Sequence, residues 1–279
     1  MKLRSQSLLA LLLVMSLISC NSGGKSDEKE THETSASPKL KEETINYKAD
    51  TINAVGYIVY NENSKDKRPA VLIVHEWWGL NDYAKKRARQ LAEMGYVAMA
   101  VDMFGDGKTA DDPKGAMALA GPFYQNVQLT KTRLDAAMNK LKEYPQVDTG
   151  KIAAIGYCYG GFVVLNAAKQ GADLKGVVSF HGNLSGAPAS KDLLKAKILV
   201  FHGAADPLVP NTEVAAFRKS MDSISADYTF KAYDSAMHAF TNPEATEKGK
   251  KFNIPVAYNA AADKQSWVDM KSFFERIFK

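Results

Sequence analysis

The sequence KIAAIGYCYGGF, residues 151–162, carries the strongest indication of the fold of this chain. Its first five residues are mostly apolar and suit a strand that is buried on both faces. A glycine-rich turn from Gly156 to Gly161 follows directly, and an apolar helical pattern begins at Phe162. The sequence therefore predicts a strand, a sharp turn and a helix, with Cys158 in the middle of the turn.

The same alternation of strands and helices continues on both sides of this stretch. Apolar runs rich in β-branched residues predict strands at residues 70–74, 96–101, 177–180 and 198–201, with edge strands at 51–60 and 227–233. Helical patterns are found at residues 81–94, 127–144, 161–169, 211–224 and 258–278. This order predicts an α/β fold in which a mostly parallel central sheet has helices on both faces.

Composition places the chain among ordinary globular proteins. Of its 279 residues, 46% are hydrophobic and 24% are charged, which excludes disorder, collagen and coiled coil for the whole chain. The 36 basic and 31 acidic residues leave a net charge of +5, and no Lys/Arg run concentrates it. A nucleic-acid partner is therefore not expected. With only two cysteines, Cys20 and Cys158, the chain is not a disulfide-stapled scaffold.

Residues 1–19 resemble a bacterial lipoprotein signal peptide. A basic start, MKLR, precedes an apolar run from Leu8 to Ile18. That run is too short for a membrane-spanning helix, which needs about 20 residues, but it suits a secretory signal. It ends in LISC, residues 17–20, which resembles a lipobox and predicts acyl chains on Cys20. The alternative is an ordinary signal peptide with an incidental cysteine. Lipidation of Cys20 would leave Cys158 unpaired, so no disulfide is predicted.

Residues 20–44 predict the lipidated Cys20 followed by a flexible tether, because they contain almost no apolar surface to bury. Residues 45–279 then form one domain. Asn21 follows Cys20 where an Asp would suggest retention in the inner membrane, so we expect a lipid anchor in the outer membrane, facing the periplasm. The acidic residues at 27, 28, 30 and 33 leave a surface-display signal as an alternative.

Cys158 is the candidate nucleophile. The turn reads G-x-C-x-G, the pattern of a nucleophile elbow with Cys in place of Ser, in the strand-turn-helix context that this motif requires. Side chains at the flanking glycines would clash with the neighbouring backbone of so sharp a turn. A position at a helix N-terminus favours the thiolate, which is the reactive form. The alternative is a buried structural cysteine.

Two polar residues that follow later strands are the candidate partners of Cys158. Asp206 comes just after the strand at 198–201, and His238 lies in the loop after the strand at 227–233. The chain order Cys158, Asp206, His238 is the nucleophile–acid–base order of α/β-hydrolases. His238 would take the thiol proton and Asp206 would orient the imidazole. Taken singly, Asp206 also suits a turn and His238 a surface position.

The remaining histidines of the folded part are His75, His181 and His202, and each follows a strand. We expect them to support the site by hydrogen bonding. No pair of histidines has the short spacing of a zinc-binding motif, so no metal is predicted.

These residues together resemble the dienelactone hydrolase family. Its motifs have counterparts in GYCYGG (156–161), HGAADPLVP (202–210), MHAF (237–240) and HEWWGL (75–80), and the resemblance covers about residues 50–279. It implies an α/β-hydrolase fold and a Cys158, His238 and Asp206 triad that hydrolyses esters or lactones without a cofactor.

The resemblance also implies roles for residues beside the triad. Glu76 would help to convert Cys158 to a thiolate when substrate binds, and the alternative is a solvated loop acid. The backbone N–H groups of Trp77 and Tyr159 would form the oxyanion hole, where the loss of one donor typically costs about 10²–10³ in rate.

The substrate pocket is expected to differ from that of dienelactone hydrolase itself, in which two arginines hold the carboxylate of the substrate. The corresponding stretches, VDMFGDG (101–107) and HAFTN (238–242), contain no arginine. A carboxylate would therefore lack charge-assisted partners here. The sequence instead predicts an aromatic, less charged pocket formed by Trp77, Trp78, Phe104, Tyr124 and Phe240.

As a whole, the sequence predicts a monomeric, lipid-anchored hydrolase of the cell envelope. Its substrate would be a small-molecule carboxylic ester or lactone, and Cys158 would carry the acyl group as a thioester. Two alternatives stay open. One is a non-catalytic, ligand-binding lipoprotein on the same fold, and the other is a thioesterase or peptidase that uses the same triad.

Overall fold

The computed structural model describes residues 38–279. The strands are β1 Leu40–Ala49, β2 Ile52–Asn61, β3 Arg68–Val74, β4 Val97–Val101, β5 Val147–Tyr157, β6 Gly176–Phe180, β7 Lys197–Gly203 and β8 Tyr228–Tyr233. The helices are α1 Asp82–Glu93, α2 Pro113–Gln125, α3 Gln128–Lys142, α4 Tyr159–Lys169, α5 Asn211–Ser223, α6 Ala245–Phe252 and α7 Ala260–Ile277. From β3 onward, each strand except β6 is followed by at least one helix, as the sequence pattern predicts.

Within the described residues, the eight strands form one sheet in the order β1-β2-β4-β3-β5-β6-β7-β8. β1 pairs with β2, and β2 with β4, in antiparallel fashion, whereas every pairing from β4 to β8 is parallel. This confirms the predicted α/β-hydrolase fold with its mostly parallel sheet. The carboxyl ends of the parallel strands lie at one edge, so the loops that follow them meet there.

Helices cover both faces of the sheet and explain the apolar strands. α1 and α7 pack on one face, and α2, α3, α4 and α5 pack on the other. Successive residues of β3 alternate between the two layers, with Leu72 and Val74 on one side and Val71 and Ile73 on the other. Because both faces of the central strands are buried, their sequences show no polar alternation.

β1 corrects the predicted boundary of the tether. The strand begins at Leu40, so residues 40–44 belong to the sheet, although their composition predicts a tether that ends at residue 44. β1 pairs with β2 along its whole length, from Leu40 opposite Asn61 to Ala49 opposite Ile52. The backbone pairing of an edge strand can stabilise a polar segment, and composition does not report that pairing.

α2 and α6 have no counterpart among the helices predicted from the sequence. α2 contains Pro122 and two glycines, residues that disfavour a helix interior. α6 has the largely polar sequence ATEKGKKF. Their tertiary contacts outweigh these local preferences.

From residue 38 onward, no helix combines the length and the apolar character needed to cross a bilayer. The predicted signal peptide, the lipidation site Cys20 and the tether up to residue 37 lie outside the described residues.

Candidate active site

The turn after β5 has the geometry of the predicted elbow. Cys158 stands between β5 and α4 with φ 55° and ψ −119°, a strained conformation for a residue with a side chain. A Cβ built on Gly156 would collide with the carbonyl oxygen of Gly160, and one built on Gly160 would collide with the carbonyl oxygen of Val74. Only glycine at these two positions lets the turn close on β3.

The backbone of Cys158 is fixed by hydrogen bonds to the neighbouring strand end. Its N–H donates to the carbonyl oxygen of Phe180 at 3.0 Å and to Nδ1 of His181 at 3.1 Å. The residue is half-buried, and its thiol is free. The side chain is thus presented in a constant orientation at the carboxyl edge of the sheet.

The structure brings Asp206 and His238 together beside Cys158. Nδ1 of His238 lies 2.8 Å from Oδ2 of Asp206, and both side chains are buried. The backbone N–H of Leu208 donates to the second carboxylate oxygen at 2.8 Å, which fixes the carboxylate plane. Nδ1 of the imidazole therefore donates to Asp206, and Nε2 is left for the thiol.

The electrostatics of His238 couple it to both partners. Burial lowers the pKa of His238, but the interactions with Cys158 and Asp206 outweigh burial and raise the pKa to about 10. A raised pKa keeps the imidazole of His238 in its charged form near neutral pH.

Glu76 is buried rather than solvated. It is 3% exposed, and Nδ2 of Asn242 donates to its Oε2 at 2.6 Å. Burial raises the pKa of Glu76, while Asn242, Lys248 and His238 act in the opposite direction. This burial contradicts the alternative interpretation of Glu76 as a solvated acid in a loop.

The two N–H groups expected in an oxyanion hole have suitable backbone positions. Trp77 lies in the turn after Glu76, and Tyr159 is the first residue of α4. Within residues 38–279, neither N–H donates to another protein group. Both donors are therefore available to a ligand oxygen, as expected for the N–H groups in the first turn of a helix.

A cavity of about 450 Å³ opens onto Cys158, Glu76 and His238. Its walls come from α2, α6 and the loops after β3, β6, β7 and β8. The other lining residues are Trp77, Trp78, Met117, Tyr124, Asn183, Ser185, Leu208, Ala239, Asn242, Ala245, Lys248, Ile254, Pro255 and Val256.

Two of the predicted pocket residues do not line this cavity. Trp78 and Tyr124 do, whereas Phe104 and Phe240 are buried beneath it. The Phe104 ring packs on His75, with centroids 4.7 Å apart, and the Phe240 ring packs on His181 at 5.1 Å. The pocket assignment of Phe104 and Phe240 was therefore wrong, because their rings support the loops from below.

Sequence reasoning missed most of the apolar wall. Met117 lies seven residues before Tyr124 on α2, so the two side chains share one face two turns apart. Val256 forms a parallel bridge with His238, and the N–H of Ala257 donates to the carbonyl oxygen of His238 at 3.1 Å. The i, i+7 spacing of Met117 and Tyr124 on α2 is a sequence signal that could have identified this wall. No sequence signal indicates that Val256 pairs with the loop that carries His238.

Apart from His238, which is paired with Asp206, Lys248 is the only basic side chain among the residues that line the cavity. Its Nζ lies 2.8 Å from Oε2 of Glu244 and 5.2 Å from the centre of the Trp78 ring. The ammonium is therefore already paired.

The remaining histidines lie beneath the elbow and the loops. Nδ1 of His75 lies 2.5 Å from the carbonyl oxygen of Glu76, and burial lowers the pKa of His75 to about 4. Burial also lowers the pKa of His181 well below its usual value, and that of His202 to a lesser degree. In the described part of the chain, no group of three or more His, Cys, Asp or Glu residues is placed to hold a metal ion.

A family model described as the dienelactone hydrolase family matches residues 55–278. An uncharacterized protein of Caenorhabditis elegans is 38% identical over 152 residues, which cover 53% of this chain and 94% of that protein. A protein of Saccharolobus solfataricus, assigned by name to the carboxymethylenebutenolidases, is 25% identical and covers 85% of this chain and all of its own length.

Solved structures show the same similarity. A dienelactone hydrolase-like promiscuous phosphotriesterase from metagenomic libraries has a TM-score of 0.81 and 33% identity, over 86% of this chain and 99% of its own. A dienelactone hydrolase structure from Klebsiella pneumoniae has a TM-score of 0.72 and 22% identity, over 85% of this chain and 99% of its own, and supports the fold.

Proposed function

This chain belongs to the dienelactone hydrolase family and is a hydrolase acting on esters or lactones, and we propose that it works through a Cys158, His238 and Asp206 triad. The observation that carries the proposal is the arrangement at one cavity wall. Cys158 stands on a strained elbow beside a buried imidazole, and Asp206 lies 2.8 Å from the far nitrogen of that imidazole.

In the proposed reaction, the Cys158 thiolate attacks the carbonyl carbon of the substrate. The N–H groups of Trp77 and Tyr159 stabilise the negative charge that develops on the carbonyl oxygen. The C–O bond to the leaving group breaks, and the imidazolium of His238 gives its proton to the leaving alkoxide. A water that His238 activates then cleaves the thioester, which releases the acid and restores the thiolate.

Glu76 supports the formation of the thiolate. Its carboxylate lies on the same cavity wall, and burial raises the pKa of Glu76, so it can accept a proton more readily than a solvated carboxylate. Because Asn242 holds it through a neutral amide, its charge is not locked into a salt bridge.

The test of the triad is turnover of a short aryl acetate by the purified chain. We expect Cys158→Ala to reduce turnover to the uncatalysed background and Cys20→Ala, the matched control, to retain it. Trapping of one acetyl group on the Cys158 peptide at low pH would identify the thioester. Undiminished turnover by Cys158→Ala would sink the proposal. A panel of oxygen esters, thioesters and peptides then separates an esterase from the thioesterase and peptidase alternatives.

The cavity favours uncharged substrates. Its walls are mostly apolar, and Lys248 is already paired with Glu244. A substrate carboxylate would therefore be desolvated without a free cationic partner. We expect methyl-capped esters to have a higher kcat/KM than matched esters with a free carboxylate.

A second candidate substrate is an uncharged phosphotriester. The observation that favours it is the same apolar wall, since a triester carries no charge to be paired. The Cys158 thiolate would displace an aryloxide at phosphorus, and water would then release the phosphodiester. A diethyl aryl phosphate tested beside the aryl acetate decides this. Cleavage that disappears in Cys158→Ala supports the second activity, and no cleavage above background excludes it.

The location at the cell envelope is a proposal that rests on the sequence of residues 1–20. We expect an alkyne-bearing fatty acid to label the protein made in a bacterial host through Cys20. The label should be lost in Cys20→Ser and retained in Cys158→Ser. Equal labelling of both variants would overturn the lipid anchor without affecting the triad.

A further inference from the structure

An exposed apolar rim surrounds the mouth of the cavity. Of the large hydrophobic side chains that are exposed within residues 38–279, three line this mouth: Met117, Tyr124 and Leu208. Their exposed fractions are 51%, 40% and 43%, and the other two such residues are Leu193 and Val268. Apolar side chains gathered at one opening indicate a binding surface rather than ordinary scatter.

The rim is preformed. The Tyr124 ring packs on Phe162, with centroids 4.7 Å apart, which fixes the face of α2 that also carries Met117. On the opposite side, the N–H of Leu208 donates to Asp206 at 2.8 Å, and its carbonyl oxygen accepts from Nδ2 of Asn183 at 3.3 Å. A ligand that contacts the rim therefore does not have to order it.

We propose that this rim is a subsite for an extended apolar group of the substrate. The preferred substrates would be uncharged esters whose alkyl or aryl part reaches past the enclosed cavity and covers Met117, Tyr124 and Leu208. The rim suits this occupant because it is continuous with the wall that carries Cys158 and because no free cation lies along the way. The inference rests on the proposed esterase function.

The test is a series of 4-nitrophenyl esters from acetate to octanoate. Each buried methylene is worth about a fourfold gain at full burial, and a half-open rim should give roughly twofold. We expect kcat/KM to rise along the series in the wild type. In the double variant Met117→Ser/Leu208→Ser, we expect the ratio of octanoate to acetate kcat/KM to fall about tenfold.

The matched control is Leu193→Ser/Val268→Ser, which removes the two exposed hydrophobic residues that lie away from the cavity. It should leave the ratio at the wild-type value. A wild type with no preference for long chains, or an equal fall in the control, overturns the subsite. Failure of the triad proposal would be a different result, because Cys158→Ala would then still turn over every ester in the series.

A second inference rests on the hydrogen bonds beneath the elbow. Cys158 follows β5 and His238 follows β8, and β6 and β7 separate these two strands in the sheet. His181, which follows β6, lies between them, and Thr241 lies in the same loop as His238. The geometry points to His181 and Thr241 as positioning residues that set the nucleophile against the base.

The hydrogen bonds determine the tautomer of His181. Its Nδ1 accepts from the N–H of Cys158 at 3.1 Å, so Nε2 carries the proton and donates to Oγ1 of Thr241 at 2.7 Å. Tyr83 contacts the same Oγ1 at 2.7 Å, and Arg87 donates to the carbonyl oxygen of Thr241 at 3.0 Å. His181, Thr241 and Arg87 are buried and Tyr83 is half-buried, so the chain of bonds ties the base loop to the elbow.

The test compares Thr241→Val, which keeps the shape but removes the hydroxyl, with Thr241→Ser, which restores it. We expect Thr241→Val to lower kcat about tenfold with KM within twofold, and to slow alkylation of Cys158 by iodoacetamide in parallel. Thr241→Ser should recover both rates. A drop in Tm with unchanged kcat and alkylation would show a purely structural role and overturn the inference, as would failure of the Ser variant to recover either rate.

Discussion

His238 is buried, and burial alone would lower its pKa; nevertheless its pKa is raised to about 10. The cause is local, because the interactions with Cys158 on one side and with the carboxylate of Asp206 on the other both favour the charged imidazole. His181 and His75 are equally buried, but neither ring is hydrogen-bonded to a carboxylate, and burial keeps their pKa values low. Three histidines at one sheet edge thus divide into one candidate base and two neutral supports.

The substitution Asp206→Asn tests whether the carboxylate of Asp206 makes His238 the base. The amide oxygen can still accept from the N–H of Leu208, so we expect a fold and Tm close to those of the wild type. The amide carries no charge to stabilise the imidazolium, so kcat on an aryl acetate should fall about 10³-fold or more. The fully exposed Asp82→Asn is the control. A kcat within tenfold of the wild type in Asp206→Asn would contradict the assigned role.

The turn between β5 and α4 shows how an element positions a side chain. The strand brings Tyr157 to the sheet edge, the elbow forces φ at Cys158 to 55°, and α4 begins at the next residue. The sequence predicts a strand, a sharp turn and a helix here, because glycines mark the positions where backbone meets backbone. It ends the strand at Ile155 and begins the helix at residue 161 or 162, whereas the strand reaches Tyr157 and the helix begins at Tyr159. By contrast, α2 contains Pro122 and is not predicted, yet it provides one side of the cavity mouth.

A pair of glycine substitutions, both within helices, tests whether close backbone packing explains the glycine in the elbow. In α4, Gly160→Ala would drive a Cβ into the carbonyl oxygen of Val74, and we expect a loss of about 3 kcal/mol or more in the free energy of unfolding. In α2, a Cβ at Gly121 meets no atom within 4 Å, so Gly121→Ala should stabilise by about 0.5–1 kcal/mol. Urea unfolding measures both changes. Equal effects of the two substitutions would refute the packing argument.

The whole molecule assembles the cavity from segments far apart in the chain. The loop after β3 brings Glu76, α2 brings Tyr124, and the segment before α7 brings Val256. Asn242 and Glu76 are joined at 2.6 Å although 166 positions separate them. The site therefore exists only when the sheet and both helical layers are in place, so its integrity reports global folding.

The buried neutral His75 is expected to make the folded protein less stable in acid. Burial lowers the pKa of His75 from 6.5 to about 4, so the unfolded chain binds a proton that the folded chain does not. Stability contributed by this neutral histidine is complete above pH 6.5 and is lost as the pH falls toward 4, by about 3 kcal/mol. Burial raises the pKa of Glu76, so the stability contributed by that carboxyl changes with pH in the opposite direction. The test therefore compares the loss of unfolding free energy in acid between the wild type and a His75 variant. Urea unfolding at pH 7 and pH 4 should show a smaller acid loss in His75→Gln than in the wild type, and an equal loss would contradict this prediction.

The parallel sheet, the elbow and the chain order Cys158, Asp206, His238 can all be read from the amino-acid sequence. Those features follow from short-range physics: uninterrupted apolar runs, glycines where the backbone closes on itself, and polar residues at strand ends. Other features appear only in the folded chain: residues 40–44 form an edge strand, Phe104 and Phe240 face the core, and Met117 and Leu208 surround the mouth of the cavity. The face that a side chain presents to a cavity depends on distant neighbours, and no local pattern records them.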